Sequence, residues 1–431
     1  TTRYGKTSQF YLLTAWLASS ANLLTPQPGN PASWTVARST RTVKDQTNTI
    51  LTNQTTYTTD LKTGGLEHAI VAGLELTSEK QGTYGYTGLG TLPAANLYKP
   101  NPRDTVTGKT MTRNGVRTDG RTDTLSAYAF DTIKVSEQWQ LNGGLRIDRH
   151  DTTFSGTSLS TATANPALPV GTLLPTNLDF AGNLINGKLA LVFKPTTASS
   201  IYAMAATSKL PPGGNNFALS ASANSAANPK YEPQKTKNLE LGGKWDLLKQ
   251  KLALTAALYR TEVSNEVEQD PADLLYYQTG KKRVQGVEFG VTGEVARGWL
   301  VSAGYTRMDT EVTAGRAITA NGSNALTYTP KQSFTAWTSY TLPFGLKLGG
   351  GARFNDRLLR GTDGAIGTPA AIDSYWVFDA MASYSVSKNV DLQLNVYNLG
   401  DERYVAAINK SGYRYTPGAP RSATLSAIVR F

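Results

Sequence analysis

Cysteine is absent from this 431-residue sequence, and histidine occurs only twice, as His68 and His150. The absence of cysteine excludes disulfide frameworks and thiolate metal sites. The two histidines lie far apart and lack the spacing of a metal-binding pair, so we interpret each as a strand-face or loop residue. On this basis we expect no metal site and no cofactor in the chain.

Long hydrophobic runs and dense charge are also missing. No stretch approaches the roughly 18 apolar residues of a membrane-spanning helix, and the mean hydropathy is −0.32. Charged residues make up 17% of the chain, against roughly 25% in ordinary soluble domains. These values exclude helical membrane spans. They remain compatible with a transmembrane β-barrel, because only every second residue of a barrel strand faces lipid.

The formal net charge is +11, which by itself is compatible with nucleic acid, an anionic lipid surface or an anionic ligand. The basic residues are scattered along the chain and form no polybasic run. The sequence also contains no Walker loop, zinc-finger spacing or aromatic RNA-binding signature. We therefore expect no nucleic-acid partner.

The sequence does contain a period-two alternation, which is clear in its last residues. Counting back from Phe431, every second residue from Val429 to Ala423 is apolar, while the residues between them are mostly polar. Alternate residues of a strand lie on opposite faces, so this segment has one apolar and one polar face. The same alternation recurs in residues 238–247, 287–295, 346–355 and 390–398. No helix of four turns is evident, and we predict an all-β fold.

The connections between the predicted strands alternate in length. Short turns occur at 61–66, 135–139, 194–199, 246–251, 295–299, 342–346 and 385–390. Long polar links lie near 17–33, 82–110, 155–177, 208–234, 263–280, 309–330, 357–372 and 400–420. A meander of this kind is typical of antiparallel transmembrane β-barrels, whereas a soluble sandwich has Greek-key crossings. The pattern predicts about 16 strands, with Trp34–Leu61 as one very long strand.

Two further patterns support the barrel. Aromatic residues sit beside the short turns and at the end of the last strand, as a girdle at the lipid–water boundary does; they are Trp139, Trp245, Trp299, Phe193, Phe344 and Phe431. The alternation also predicts which side chains face lipid, namely Val291, Leu348, Leu392 and Leu394, and which face the lumen, namely Glu288, Arg353, Gln393 and Asn395.

Several stretches go beyond a generic barrel. Residues 231–271, 280–309, 329–354, 375–404 and 416–431, together with 2–16 and 41–55, strongly resemble the C-terminal barrel of TonB-dependent outer-membrane siderophore receptors, particularly those for ferric catecholates. The terminal Phe431 resembles the assembly signal of outer-membrane barrels. One departure is Gly400, which stands where the family usually has an aromatic residue.

The resemblance implies a barrel of 22 strands filled by an N-terminal plug domain. Nothing in residues 1–431 resembles the plug, so we expect this chain to be a partial barrel domain that lacks the plug and the first strands. The implied function is energy-coupled import of an iron–siderophore complex in the bacterial outer membrane, without enzymatic activity. The implied partners are the ferric siderophore, TonB through the missing N-terminal region, the assembly machinery through the last strand, and lipopolysaccharide. Iron enters only as part of the ligand.

A receptor for an anionic, aromatic ligand is expected to offer Arg, Lys and Tyr from its outer loops. The candidate ligand-binding residues, grouped by loop, are Tyr84, Tyr86, Lys99 and Arg103; Tyr276 and Tyr277; Arg357 and Arg360; and Tyr413, Arg414 and Tyr415. Each of these residues has a structural alternative, which is contact with a neighbouring loop or with lipopolysaccharide.

Two other functions remain open at this point. A passive porin of about sixteen strands would suit the length, with Lys188, Lys244, Lys347 and Arg353 in its lumen. An outer-membrane hydrolase would rest on His150, Asp151 and Ser155. The geometry disfavours the hydrolase, because adjacent strand residues such as His150 and Asp151 point to opposite faces.

Overall fold

The computed structural model of the protein describes residues 1–14, 23–25, 27, 29–38, 41–211, 219–270, 274–315, 319–361, 369–408 and 415–431. Within these residues there is no helix long and apolar enough to cross a membrane. The regular structure is a short 3₁₀ turn, Pro31–Ser33, and the following strands: β1 (Thr2–Leu13), β2 (Leu23–Leu24), β3 (Thr35–Val36), β4 (Thr42–Thr63), β5 (Leu66–Thr91), β6 (Ala95–Asn96), β7 (Thr107–Lys134), β8 (Trp139–Leu159), β9 (Leu173–Thr196), β10 (Ser199–Leu210), β11 (Gln234–Leu247), β12 (Leu252–Gln269), β13 (Tyr276–Ala296), β14 (Trp299–Ala314), β15 (Gln332–Thr341), β16 (Lys347–Asn355), β17 (Leu358–Leu359), β18 (Ala371–Ile372), β19 (Tyr375–Ser387), β20 (Val390–Tyr397), β21 (Val405–Ile408), β22 (Tyr415–Pro417) and β23 (Ser422–Val429).

Sixteen of these strands form one antiparallel sheet, in the order β1-β4-β5-β7-β8-β9-β10-β11-β12-β13-β14-β15-β16-β19-β20-β23. Each strand of this sheet pairs with the next one along the chain, which is the meander that the sequence predicted. The predicted strand count is therefore confirmed. The outermost strands in the hydrogen-bonded order are β1 and β23, and no ladder joins them among the described residues.

All seven predicted short turns lie between consecutive strands of the sheet. The first, between β4 and β5, is made by Gly64 and Gly65 with φ of +56° and +86°. Two successive positive φ values are what a two-residue hairpin turn needs to match the twist of its strands, and glycine adopts them without steric cost.

Two sequence predictions about strand length are wrong. Trp34–Leu61 is not a single strand, because Trp34 precedes the short strand β3 and the long strand β4 begins only at Thr42. The link predicted near 82–110 is mostly strand, since β5 continues to Thr91 and β7 starts at Thr107. Beyond the membrane both faces of a strand meet water, so polar residues such as Thr83 and Thr118 occupy the ladder and the alternation disappears.

The sheet has one apolar and one polar face. On β20, Leu392 and Leu394 are 38% and 41% exposed on one face, and Leu394 lies opposite Leu425 of β23. Gln393 lies on the other face, where its amide donates to Asn395 at 3.1 Å. Val291 and Leu348 share the apolar face, and the register places Glu288 and Arg353 on the polar face. The face predictions are confirmed.

Aromatic residues mark both edges of the apolar face. Near the short turns, the ring centroids of Trp139 and Phe193 lie 4.5 Å apart. Near the long loops, Trp376 contacts Phe354 at 4.9 Å, an edge that the sequence did not reveal. Trp376 and Tyr384 share one face of β19 eight residues apart, which is about 26 Å along a strand. The interval fits the apolar band of a tilted barrel strand.

The polar face carries an ionic network at mid-strand. Arg146 of β8 donates to Asp148 at 2.7 Å and to Glu75 of β5 at 3.1 Å, and it also donates to the hydroxyl of Ser126 at 2.8 Å. Ser126 is fully buried and donates to Asp148 at 2.6 Å. The network ties β5, β7 and β8 together through side chains as well as through the backbone ladder.

Candidate functional site: the loop end of the barrel

The long connections pack against each other in neighbouring pairs. Residues 31–38 join the β5–β7 connection through the small sheet β2-β3-β6 and through the ion pair of Arg38 with Asp104. The connection before β11 joins the start of β13, where the Tyr231 hydroxyl donates to the Tyr276 carbonyl at 3.2 Å. In the described parts of the loop end, several predicted binding residues thus serve to hold neighbouring connections together.

Tyr84 and Tyr86 lie on strand β5 and not in a loop, which corrects the prediction of their position. The register runs unbroken from Leu76 to Tyr84, so Tyr84 shares the face of Leu76, the lipid-facing side of the sheet. The Tyr86 hydroxyl donates to Asp45 at 2.7 Å, and its ring meets Phe10 edge to face. Both tyrosines therefore project outward from the extended wall and away from the lumen.

Sequence reasoning missed the arginine that accompanies these tyrosines. The Arg113 guanidinium lies 3.8 Å above the Tyr84 ring centroid. Its Nε donates to the Tyr86 hydroxyl at 3.3 Å, and this bond, followed by the Asp45 carboxylate, raises the pKa of Arg113 above its usual value. Arg113 stays charged and already has partners. Only the pairing of β5 with β7 reveals that Arg113 lies beside Tyr84 and Tyr86.

Arg103 and Lys99 are exposed in the β5–β7 connection, and their recorded contacts are backbone N–H donations to Asn101 and Asn96. Tyr276 and Tyr277 are the first two residues of β13 rather than loop residues. The Tyr276 N–H donates to the Asn224 side chain at 2.9 Å, which fixes its backbone against the neighbouring connection.

The two arginines predicted in the β16–β19 connection differ in their surroundings. Arg357 is exposed. Arg360 is only 9% exposed, and its guanidinium donates to the carbonyls of Pro369 and Gly361, both at 2.8 Å. Arg360 thus bridges two carbonyl groups of its own loop, and it is less accessible to a ligand than Arg357.

Tyr413 and Arg414, the predicted residues of the last connection, lie outside the described residues. Tyr415 is described and is 64% exposed in β22. At the base of the same connection, the Tyr404 ring stacks on Tyr375 with centroids 4.1 Å apart. Gly418 lies directly against this ring, and a Cβ built on it would be 2.2 Å from Tyr404.

The register of β16 and β19 places an arginine below this aromatic pair. Tyr375 lies opposite Asn355, and Arg353 lies two residues before Asn355 on the same polar face. Arg353 is 55% exposed and is held only loosely, with 3.6 Å between its guanidinium and the Asp379 carboxylate. We call Arg353, Tyr375 and Tyr404 the mouth cluster, because they lie on the lumen face at the loop end.

The mouth cluster combines the groups that an aromatic anion requires. An open guanidinium attracts negative charge and forms directed hydrogen bonds. Stacked phenol rings offer an apolar face with a polar edge. The sequence alternation predicts that Arg353 faces the lumen, but its proximity to Tyr375 and Tyr404 depends on strand register and on a loop contact.

Comparison with known proteins agrees with this geometry. Residues 1–399 match the family described as TonB dependent receptor-like, beta-barrel. The chain belongs to the TonB-dependent receptor β-barrel family. It is 43% identical over its whole length to the catecholate siderophore receptor Fiu of Escherichia coli K12, of which it covers 57%. It is 32% identical over 88% of its length to PiuA of Acinetobacter baumannii, a probable TonB-dependent siderophore receptor, and covers 52% of that protein.

Solved structures give the same result for this receptor barrel. The closed form of Fiu from E. coli K12 superposes with a TM-score of 0.91 at 41% identity, over 100% of this chain and 61% of that one. PiuA from A. baumannii superposes with a TM-score of 0.80 at 29% identity, over 99% of this chain and 61% of that one. The chain therefore spans a little over half the length of the relatives it matches.

Family membership places the receptor barrel in the bacterial outer membrane, with the short turns on the periplasmic side and the long loops outside. It gives no support to the passive porin. The two relatives named above are described as a siderophore receptor and a probable siderophore receptor.

The residues of the hydrolase alternative are far from a catalytic arrangement. His150 is 3% exposed and packs against Phe180 with centroids 5.5 Å apart. The register puts His150 on the polar face opposite Thr124, whereas Asp151 is on the other face opposite Asp123. Nor does the described part of the chain contain a cluster of three or more His, Asp or Glu side chains that could hold a metal ion.

Proposed function

We propose that this chain is the barrel of an outer-membrane receptor that imports an iron–siderophore complex, most specifically a ferric catecholate, with energy coupled through TonB. The observation that carries the proposal is an overall identity of 43% to a catecholate siderophore receptor, in an alignment that covers the whole chain. A likeness that covers strands and loops alike supports a shared ligand class more strongly than a shared fold does.

The chemistry of the mouth cluster supports the same ligand class. Ferric catecholates are anionic and present flat aromatic rings. Arg353 supplies positive charge on the lumen face, and Tyr375 and Tyr404 supply rings for stacking, each contact contributing about 1 kcal/mol. The exposed Arg103 and Arg357 add positive charge at the rim. The iron belongs to the ligand, and the proposal requires no protein-bound cofactor.

The proposal includes three partners of the intact receptor. TonB would supply energy through a region N-terminal to the barrel. The outer-membrane assembly machinery would recognise the last strand, β23, with Phe431 at its end. Lipopolysaccharide would surround the loop end. We also keep Tyr413 and Arg414 as predicted contacts for the siderophore.

The function is tested by measuring how tightly ferric catecholates bind to cells that express the intact receptor carrying this barrel. We expect saturable binding of a ferric catecholate and much weaker binding of a ferric hydroxamate. We expect Arg353→Ala and Tyr375→Ala each to weaken the catecholate affinity by roughly fivefold, the equivalent of about 1 kcal/mol. The pair Tyr413→Ala and Arg414→Ala is measured in parallel.

Arg121→Ala is the matched control. Arg121 is 50% exposed like Arg353 and is likewise paired with an aspartate, Asp123, but it lies on the outer face of the wall. If Arg121→Ala and Arg353→Ala changed the affinity for the ferric catecholate equally, the mouth cluster would not be part of the binding site. Absence of saturable ferric-catecholate binding at normal receptor levels would contradict the proposed function itself.

A further inference from the structure

The Asp379 carboxylate lies beside the mouth cluster on the lumen face and has partners on two different elements. Asp379 is the direct partner of Gly351 in the β16–β19 ladder, and Arg353 lies two residues farther along β16 on the same face. One carboxylate oxygen, Oδ2, is 3.6 Å from the Arg353 guanidinium. The other oxygen, Oδ1, accepts the backbone N–H of Asn398 at 2.9 Å. Asp379 therefore joins the charged residue of the mouth cluster to the base of the last connection.

The contact between Asp379 and Arg353 attracts the two charges without occupying the guanidinium. A separation of 3.6 Å is too long for a hydrogen bond, and the Arg353 side chain is 55% exposed. Its N–H groups can therefore donate to a ligand while the carboxylate offsets its positive charge. A ligand that arrives at the mouth cluster meets hydrogen-bond donors on a pair of charges that is nearly neutral.

The carboxylate is fixed in place, because its second partner is itself held by both ends of the last connection. Asn398 is 2% exposed, and its side-chain amide donates to the carbonyls of Glu402 and Ala419, both at 2.9 Å. Its side-chain oxygen accepts the backbone N–H of Glu402 at 2.8 Å. Because Asn398 is anchored in this way, Asp379 stays in position when Arg353 turns toward a ligand.

An aromatic ring covers the wall beside this pair of charges. Trp337 is the direct partner of Gly351 in the β15–β16 ladder, so it also lies on the lumen face. A Cβ built on Gly351 would be 2.6 Å from the Trp337 ring, which shows that the ring lies over this glycine. The Asp379 side chain is only 18% exposed. Charges interact more strongly where water is excluded, so the effect of Asp379 on Arg353 exceeds that of an ordinary surface pair.

We propose that Asp379 is a specificity-determining residue of the receptor, whose fixed carboxylate limits how strongly the mouth cluster selects ligands by their negative charge. Arg353 then recognises a ferric catecholate through directed hydrogen bonds more than through net charge. A ligand held in this way leaves the mouth for the lumen without overcoming the full attraction of an uncompensated guanidinium. This inference rests on the proposed siderophore function and adds to it the group that sets the preference for ligand charge.

The experiment measures the affinity of cells that express the intact receptor for two probes, a ferric tris-catecholate and a ferric bis-catecholate, which carries less negative charge. Asp379→Asn keeps an oxygen that accepts the Asn398 N–H and removes the charge. We expect this variant to bind the tris-catecholate roughly fivefold more tightly than the wild type, with a steeper dependence on salt and a smaller gain for the bis-catecholate. A residue that only supported the fold would weaken the binding of both probes when changed.

A carboxylate placed on the other side of Arg353 tests whether charge alone is responsible. Thr335 is the direct partner of Arg353 on β15 and is exposed. Thr335→Asp leaves Asp379 and its bond to Asn398 in place, and it should weaken tris-catecholate binding by a similar factor. The double variant Asp379→Asn with Thr335→Asp should return the affinity and its salt dependence to the wild-type values.

Asp123→Asn is the matched control. It removes the same charge from an aspartate that is also paired with an arginine but lies on the outer face, and it should leave both affinities unchanged. Three results would each overturn the proposal: unchanged or weaker tris-catecholate binding by Asp379→Asn at normal receptor levels, an equal gain for Asp123→Asn, or wild-type affinity in Thr335→Asp. Absence of saturable binding by the wild type would contradict the proposed function and is thereby distinguished from these results.

Discussion

Whether a residue stands at an odd or an even position along its strand decides whether its side chain faces lipid or the lumen. Leu394 lies near the middle of β20 on the apolar face, and Gln393 next to it lies on the polar face. An arginine on the lipid face at mid-membrane costs about 2–4 kcal/mol. We therefore expect Leu394→Arg to lower the free energy of unfolding in phospholipid vesicles by that amount, and Gln393→Arg to lower it far less. Equal losses for the two variants would show that the register is wrong.

The two arginines of the β16–β19 connection allow a second test on single residues. Arg360 bridges two carbonyl groups of its loop and is buried, whereas Arg357 is exposed. Hydrogen bonds from a charged donor contribute about 1.5–3 kcal/mol each. Arg360→Ala should therefore open the loop and increase its cleavage rate in limited proteolysis by roughly tenfold or more. Arg357→Ala should leave the rate unchanged, and similar rates for both would contradict a structural role for Arg360.

The residue types of a binding site could be predicted from the sequence, but their directions could not. Tyr84 and Arg360 have the side chains that a catecholate receptor needs. Tyr84 faces outward because β5 continues beyond the membrane without a break in register, and Arg360 is turned back onto its own loop. Tyr375 and Tyr404 come together from strands and loops distant in sequence. A single sequence carries no signal for such a contact.

At the scale of elements, the prediction succeeded where a strand faces lipid on one side and water on the other. The short turns follow from local chemistry such as the Gly64–Gly65 pair, and the strands between them follow from period-two alternation. The prediction failed for β5 and β7 outside the membrane, where both faces are wet and alternation is lost. It also failed at Trp34, whose neighbours form a two-residue strand too short to show a period.

The last strand gives the prediction at this scale. Phe431 follows β23 and is fully exposed, so its ring contributes no packing within the sheet. If it is the assembly signal we propose, Phe431→Ala should reduce the amount of assembled barrel in the membrane without changing the unfolding free energy of the barrels that do assemble. Phe344→Ala is the matched control, since Phe344 is 65% exposed in a short turn. Equal assembly of both variants would assign Phe431 to the aromatic girdle alone.

At the scale of the whole molecule, the wall separates two environments with different chemistry. The outer face is apolar between two aromatic edges, and the inner face carries both the network of Arg146, Glu75 and Asp148 and the mouth cluster. A passive porin would need only an open lumen with fixed charge. A receptor needs ligand binding at the mouth and coupling of that binding to an energy source, and this difference separates the two functions.

The most direct test of the receptor function is the uptake of radiolabelled ferric catecholate by iron-starved cells that depend on the intact receptor carrying this barrel, with and without TonB. We predict uptake that saturates with ligand concentration and is abolished without TonB, while ferric-catecholate binding to the same cells is retained. Uptake that rises linearly with concentration and is equal in the two strains would contradict energy-coupled import and would indicate passive diffusion through the barrel.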